Sequence, residues 1–242
     1  MLVTVNEILI NSISAEQRTS YATKQGILYN ETFKRRYSDK NPHNNKIPPL
    51  MTFPHLIWPS TFNVFQSFLL TTFIIKPFYD AEFKIADFVK GSKKALEVIS
   101  HKLSDGDVNS LEGLVTSDVI PKLQSTVKLL TLTQRELLSV NAEDIYFAFP
   151  YQIGMIFKDE DKENQKRFVE ITMVFHTLKG LADMRKAGEE IPINAGMIPQ
   201  YQSKMFICNY RFIKEFTKGV ESDWTVNLLN HFQQGDDEGW DV

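Results

Sequence analysis

The hydrophobic pattern of the chain changes period at Asp144, and that change restricts the fold more than any other feature. Before it, apolar residues recur every three or four positions: Ile85, Phe88, Val89, Leu96, Ile99 and Leu103 fit one face of a helix. After it they alternate. Ile145, Phe147, Phe149, Tyr151, Ile153, Met155 and Phe157 take every second position, the spacing of a strand with one buried face. Val169, Ile171, Met173 and Phe175 predict a returning strand. Phe206, Cys208, Tyr210 and Phe212 predict a third, and Trp224, Val226 and Leu228 the start of a fourth. Helices first and consecutive strands afterwards predict an α+β fold, with N-terminal helices packed on one face of a curved antiparallel sheet. Pro150 and Gly154 fall on the other phase of the first strand and predict an edge or a bulge. A bulged, curved sheet closing over helices predicts a cone with a pocket.

The helical half carries its own punctuation. Ser104-Asp105-Gly106-Asp107 is a turn that ends the first long helix. Ser117 is placed as the cap of a helix whose inner face holds Val119, Ile120 and Leu123, and Thr133 as the cap of one running through Leu138.

Ahead of the helices lies a segment with no acid. Residues 56–79 contain one charge, Lys76, while Phe62, Phe65, Phe68, Leu69 and Phe73 recur at helical spacing beside a thin stripe of Asn63, Ser67 and Thr71. A helix with so wide an apolar face suits a membrane interface or burial against a sheet. Pro59, Asn63, Gln66 and Ser67 interrupt the run, which disfavours a spanning helix. The chain thus divides into a basic leader (1–50), an apolar membrane-proximal helix (51–79), an α+β domain (80–234) and an acidic tail (235–242). In residues 1–50, seven Lys or Arg oppose four acids, a net of +3, so the remainder carries −6 of the overall −3. A basic head on an acidic body fits a targeting segment. Lys34-Arg35-Arg36-Tyr37-Ser38 resembles a matrix processing-peptidase site with cleavage after Tyr37.

Little in the chain carries reactive chemistry. The lone cysteine, Cys208, excludes an internal disulfide, and its alternation with aromatics marks it as a core thiol. His43, His55, His101, His176 and His231 lack metal-ligand spacing. Asp159, Asp161, Glu163 and Asn164 mimic a calcium loop without its glycine and distal glutamate. There is no phosphate loop and no nucleophile elbow. No cofactor is expected. Glu170, Glu215 and Asp144 are the acids a cone pocket could employ.

Two stretches carry a resemblance. One is Phe73-Ile74-Ile75-Lys76-Pro77-Phe78-Tyr79-Asp80-Ala81-Glu82-Phe83-Lys84-Ile85, followed by Phe88, Gly91 and Lys93-Lys94-Ala95. The other is Glu215-Phe216-Thr217-Lys218-Gly219-Val220-Glu221-Ser222-Asp223-Trp224-Thr225-Val226. Together they resemble the matrix AAA peptidase (m-AAA protease)-interacting family, within the superfamily of the presequence translocase's matrix anchor. The likeness runs from about Phe53 to His231, with Ser222 standing where that family has proline. It implies a nuclear-transport-factor-2-like cone, a matrix location and peripheral attachment to the inner membrane. It also implies binding to the m-AAA protease and help in maturing a small inner-membrane client, the regulator of the calcium uniporter. In the matching residues, Gly219 can supply a positive φ, Asp223 can bond a turn amide, and Trp224 can bury its ring while the indole N–H finds an acceptor. Phe83, Phe88, Phe216 and Val220 complete the motif, with Phe83 and Phe88 as core.

The reading is a non-catalytic adaptor on a membrane surface, with Phe62, Phe65, Phe68, Leu69 and Phe73 at the lipid boundary and Lys76 reaching headgroups. A ribosome receptor or translocase anchor is the alternative, and the acidic body argues against ribosomal RNA as a partner. A small-molecule enzyme using the cone pocket is a second.

Overall fold

The computed structural model describes residues 46–60, 71, 75–158, 166–192 and 194–233, all within one compact unit, Asn45–Val242. Phe62, Phe65, Phe68, Leu69 and Phe73 lie outside the described residues. So do the leader up to residue 45, the turn Asp159–Asn164 and the acidic tail.

The helical layer begins with α1 (Lys76–Phe78), a single turn entered through Pro77, and α2 (Ile85–Asp105). α2 buries Phe88, Leu96, Ile99 and Leu103, the stripe its sequence spacing predicts. It stops at Gly106, whose φ of 77° only glycine adopts without strain. The amides of Gly106 and Asp107 there cap the carbonyls of Leu103 and Lys102. A 3-10 turn, Val108–Leu111, then leads to α3 (Val119–Val127) and α4 (Leu132–Leu138). Both caps differ from expectation. The residue before α3 is Asp118 rather than Ser117, and its carboxylate is engaged by Thr116 and Lys122. α4 opens at Thr131 rather than Thr133: Thr131 Oγ1 accepts from the Gln134 amide at 3.2 Å, and Gln134 Oε1 accepts from the Thr131 amide at 3.0 Å. That reciprocal pair is a capping box, which outcompetes a lone threonine two residues later.

Four strands follow: β1 (Ile145–Lys158), β2 (Lys166–Leu178), β3 (Met205–Glu215) and β4 (Thr225–Gln233). They pair in sequence order, antiparallel throughout. The α+β arrangement is therefore as the periodicity predicts, but the facing of β1 is not. Register shifts fall between Ile145 and Phe147 and between Pro150 and Gln152. Each extra residue turns the side chains over. Ile145 and Ile153 face the helices, whereas Phe149 faces away with Val174 and Tyr151 packs beside it. The bulge expected near Pro150 is present, and the register runs unbroken through Gly154. A third shift, between Arg211 and Phe212, makes Asn227 the extra residue of β4.

Between the helices and the sheet, Leu96, Ile99, Leu103, Leu123, Leu138, Phe175 and Tyr210 are fully buried. These side chains occupy the place where the sequence predicts a pocket. Between β2 and β3, α5 (Leu181–Lys186) and α6 (Pro199–Gln202) form a small separate core from Leu178, Leu181, Ala195 and Met205.

The other face of the sheet is crossed by residues 46–58, which have no helix or strand of their own. This strap starts on the helical layer, where Gln134 Nε2 donates to the Lys46 carbonyl and Thr126 Oγ1 to that of Leu50. It then spans the strands. Leu50 N donates to Asn230 Oδ1 on β4 (2.9 Å), Asn209 Nδ2 on β3 donates to the Pro54 carbonyl (3.2 Å), and His176 Nε2 on β2 lies 2.8 Å from the Ile57 carbonyl. His55 stacks on Phe232 at 4.0 Å. Residues 46–50, expected in the leader, and 51–58, expected in a helix, are thus an extended part of the body. Pro48, Pro49, Pro54 and Pro59 favour that extended backbone and oppose a helix.

Candidate interaction surfaces

The motif residues converge on one end of the molecule. Phe88 on α2 packs edge-on against Trp224 at 4.9 Å and against Phe212 at 5.4 Å. Phe83 lies 6.1 Å from Phe88 and 6.3 Å from Trp224, and Phe216 lies 6.3 Å from Trp224. Tyr79, just past α1, meets Phe216 edge-on at 5.6 Å. The two stretches that carry the resemblance are therefore neighbours in space. Ring pairs at these distances add roughly 0.5–1.5 kcal/mol each beyond their buried area.

This platform supports the hairpin between β3 and β4. The Val220 amide closes a turn on the Thr217 carbonyl at 3.0 Å, with Gly219 at φ +83° in the third position, where an L side chain would be strained. The Phe216 amide donates to the Arg167 carbonyl at 2.7 Å and the Arg167 amide to Thr217 Oγ1 at 3.1 Å, which ties the hairpin to β2. The expectation that Asp223 bonds a turn amide is not met. Its side chain is exposed, and Ser222 Oγ accepts from the Glu215 amide at 3.2 Å instead. A proline at position 222 would lack that hydroxyl. The half-buried Trp224 shows no protein acceptor for its indole N–H among the described residues.

Beside the hairpin is an open cleft of about 800 Å³, lined by Tyr79, Phe216 and Val220 together with Asp80, Glu215, Glu221 and Asp223. Val220 is 46% exposed at its rim. A second open cleft, about 590 Å³, lies over α5 and α6 and includes Lys179, Met184 and Tyr201. Lys179 donates to the Glu136 carbonyl at 3.0 Å, and partial burial holds its ammonium below the usual lysine range. Lys76 is exposed on α1.

The acids considered for catalysis do not meet. Glu170 Oε1 sits on the strap side of the sheet, 2.7 Å from Asn227 Nδ2 and 3.4 Å from Arg211 Nε. Asp144 Oδ1 accepts from the Ala182 amide. Glu215 is on the rim of the larger cleft. Cys208 and Tyr210 are fully buried, and burial pushes both groups up, away from ionisation. Tyr210 Oη lies 2.9 Å from His231 Nε2. Burial, with Lys179 adding to it, drops His231 to about 3, so the ring is neutral. One relay-like set went unseen in the sequence: Ser139 Oγ lies 3.3 Å from His101 Nδ1, and Asn141 Oδ1 lies 3.1 Å from His101 Nε2. It lines neither cleft and joins α2 to the end of α4. Its members are 38 and 40 residues apart, so no local motif could have revealed it. Among the described residues there is no cluster of His, Cys, Asp and Glu able to hold a metal ion. No helix of the described residues is long and apolar enough to cross a membrane.

No family model matches the chain. Curated relatives do. The chain is 28% identical over 162 residues to the rat (Rattus norvegicus) protein named mitochondrial m-AAA protease-interacting protein 1, which covers 66% of this chain and 54% of that relative. It is 27% identical over 165 residues to the human (Homo sapiens) protein of the same name, covering 67% of this chain and 55% of the relative. The chain therefore spans just over half the length of these relatives. Across two thirds of its own length, it is similar to mitochondrial proteins named for their interaction with the m-AAA protease.

Proposed function

We propose that this chain is a mitochondrial adaptor that binds the m-AAA protease and performs no chemistry itself. The observation that carries this reading is the similarity to proteins named for that interaction, over two thirds of the chain. The geometry agrees with it. The motif residues build a rigid platform under an exposed hairpin, and the acids that could have formed a catalytic pair are scattered. We assign the protease contact to the cleft at Tyr79, Phe216 and Val220.

The finer reading follows the family resemblance. The adaptor works in the matrix, peripherally on the inner membrane, and assists maturation of a small inner-membrane client, the calcium uniporter regulator. Its sheet and helices are the nuclear-transport-factor-2-like cone of that superfamily. Phe62, Phe65, Phe68, Leu69 and Phe73 enter the lipid boundary, with Lys76 at the headgroups. A ribosome receptor is the rival, and a body with net charge −6 beyond residue 50 opposes an RNA surface.

Affinity capture of the tagged full chain from mitochondria tests the proposal. The protease should co-purify. Val220→Asp should lower its recovery about tenfold without changing the thermal midpoint, because Val220 is exposed. Recovery of ribosomal or translocase subunits in place of the protease would refute the adaptor reading.

A further inference from the structure

The cleft beside the β3–β4 hairpin is built by two segments far apart in the chain. Tyr79 and Asp80 follow α1, and the other lining residues run from Lys214 near the end of β3 to Asp223 ahead of β4. Its walls are apolar where the rings meet. Tyr79 lies edge-on to Phe216 at 5.6 Å, and Val220 stands 46% exposed at the rim. Apolar walls alone would suit many segments.

The charge around those walls narrows the choice. Asp80, Glu215, Glu221 and Asp223 line the cleft against one cation, Lys214. Asp80 turns one carboxylate oxygen to the Glu82 amide, at 3.1 Å. None of the four carboxylates has a salt-bridge partner among the described residues. Lys218 on the hairpin, and Arg167, whose charge reaches Tyr79, do not line the cleft. Carboxylates gathered around apolar walls repel one another and attract a cation. The cleft also shows how a cation sits there: Lys214 Nζ lies over the ring of Phe216, 5.1 Å from its centroid. The ring quadrupole holds such a charge. A guanidinium suits the same place better, because it is planar, stacks on a ring and presents a fork of donors to carboxylates.

We propose that this cleft receives an arginine-bearing segment of a protein partner, whose guanidinium displaces Lys214 from Phe216 while an apolar neighbour covers Val220. The inference rests on the proposed protease contact at this cleft and names the chemistry of the segment that makes it. Glu221 and Asp223, exposed on the hairpin, are the carboxylates free to close on the guanidinium. A phosphorylated or acidic segment would meet four like charges here, and a purely apolar one would strip water from them with nothing in return.

Fluorescence anisotropy of the full chain with a labelled peptide of arginine, leucine and serine tests the site. The control peptide carries neutral citrulline at each arginine. The arginine peptide should bind about tenfold more tightly than the citrulline peptide, and raising salt should shrink that preference. Glu221→Gln with Asp223→Asn should weaken arginine-peptide binding about tenfold. Glu143→Gln with Asp183→Asn, two exposed acids outside this cleft, should leave it unchanged. Lys214→Met, which removes the resident cation, should tighten it. Equal affinity for the two peptides overturns the arginine seat. So does full affinity in the folded Glu221 and Asp223 variant, or binding weakened by Lys214→Met. If the hairpin variant unfolds, the two peptides on the wild type decide alone. Capture from mitochondria separates this proposal from the one beneath it. Equal recovery of the protease by the wild type and the folded hairpin variant overturns the seat and keeps the adaptor. Arginine-dependent peptide binding in a chain that never recovers the protease keeps the seat and overturns the adaptor.

Discussion

Against the helices, one face of the sheet is closed by apolar volume, with Phe175, Tyr210, Leu96 and Ile99 filling the gap. On the opposite face, Phe149, Val174, Ile207 and Phe232 form the small buried apolar cluster beneath the strap, and the strap is held by side chains that bond its backbone. Asn230, Asn209 and His176, one from each of three strands, supply those bonds. Apolar packing is non-directional and tolerates repacking; hydrogen bonds to a strap fix its path and register. The helical face therefore sets the stability of the fold, while the strap face sets where one segment runs and which rings it shows to the outside.

Breaking the helical face should cost most. Phe175→Ala should lower unfolding free energy by about 3–5 kcal/mol, read from urea melts, because the ring is fully buried and leaves a cavity. Acid should act next. Each face holds a neutral histidine: His231 among the helices, at about 3, and His176 under the strap, also lowered by burial against the opposing effect of its bond to Ile57. A folded-state value below the unfolded 6.5 means that the unfolded chain takes up the proton first. Stability is then full above pH 6.5 and is lost as pH falls toward 3. The loss from His231 should reach about 3 kcal/mol by pH 4. In His231→Gln, that acid limb should flatten in melts taken across the range, and an unchanged slope would contradict the assignment. The smallest effect belongs to the strap. Asn230→Ala removes the acceptor of the Leu50 amide and should cost about 1–3 kcal/mol. Hydrogen exchange should quicken at Leu50 far more than in α2, and equal quickening in both would dissolve the distinction between the faces.

The helical face was legible because its residues repeat. Leu96, Ile99 and Leu103 on α2 and Cys208, Tyr210 and Phe212 on β3 are buried where their spacing puts them. β1 was legible as a strand, and Pro150 announced its second bulge, but nothing in the alternation announced the first, between Ile145 and Phe147, so its facing was not legible. The strap could not be read at all. Its partners sit on β2, β3 and β4, more than 100 positions away, and single asparagines and histidines have no period. For the candidate site, Gly219 announced its turn through conformational need, and the aromatic platform was visible only as scattered rings. The partner came from resemblance, not from physics.

Leu50 and Asn230 are 180 positions apart, which has a consequence for the order in which the molecule can be completed. A polypeptide emerges from the ribosome N-terminus first. The strap is therefore made well before the strands that must receive it. Until those strands are made, Leu50, Met51 and Phe53 lack the cover they have in the folded chain. The bond from the Leu50 amide to Asn230 has to wait for β4. A truncation just before Thr225 would keep every described helix and still leave the Leu50 amide without its acceptor.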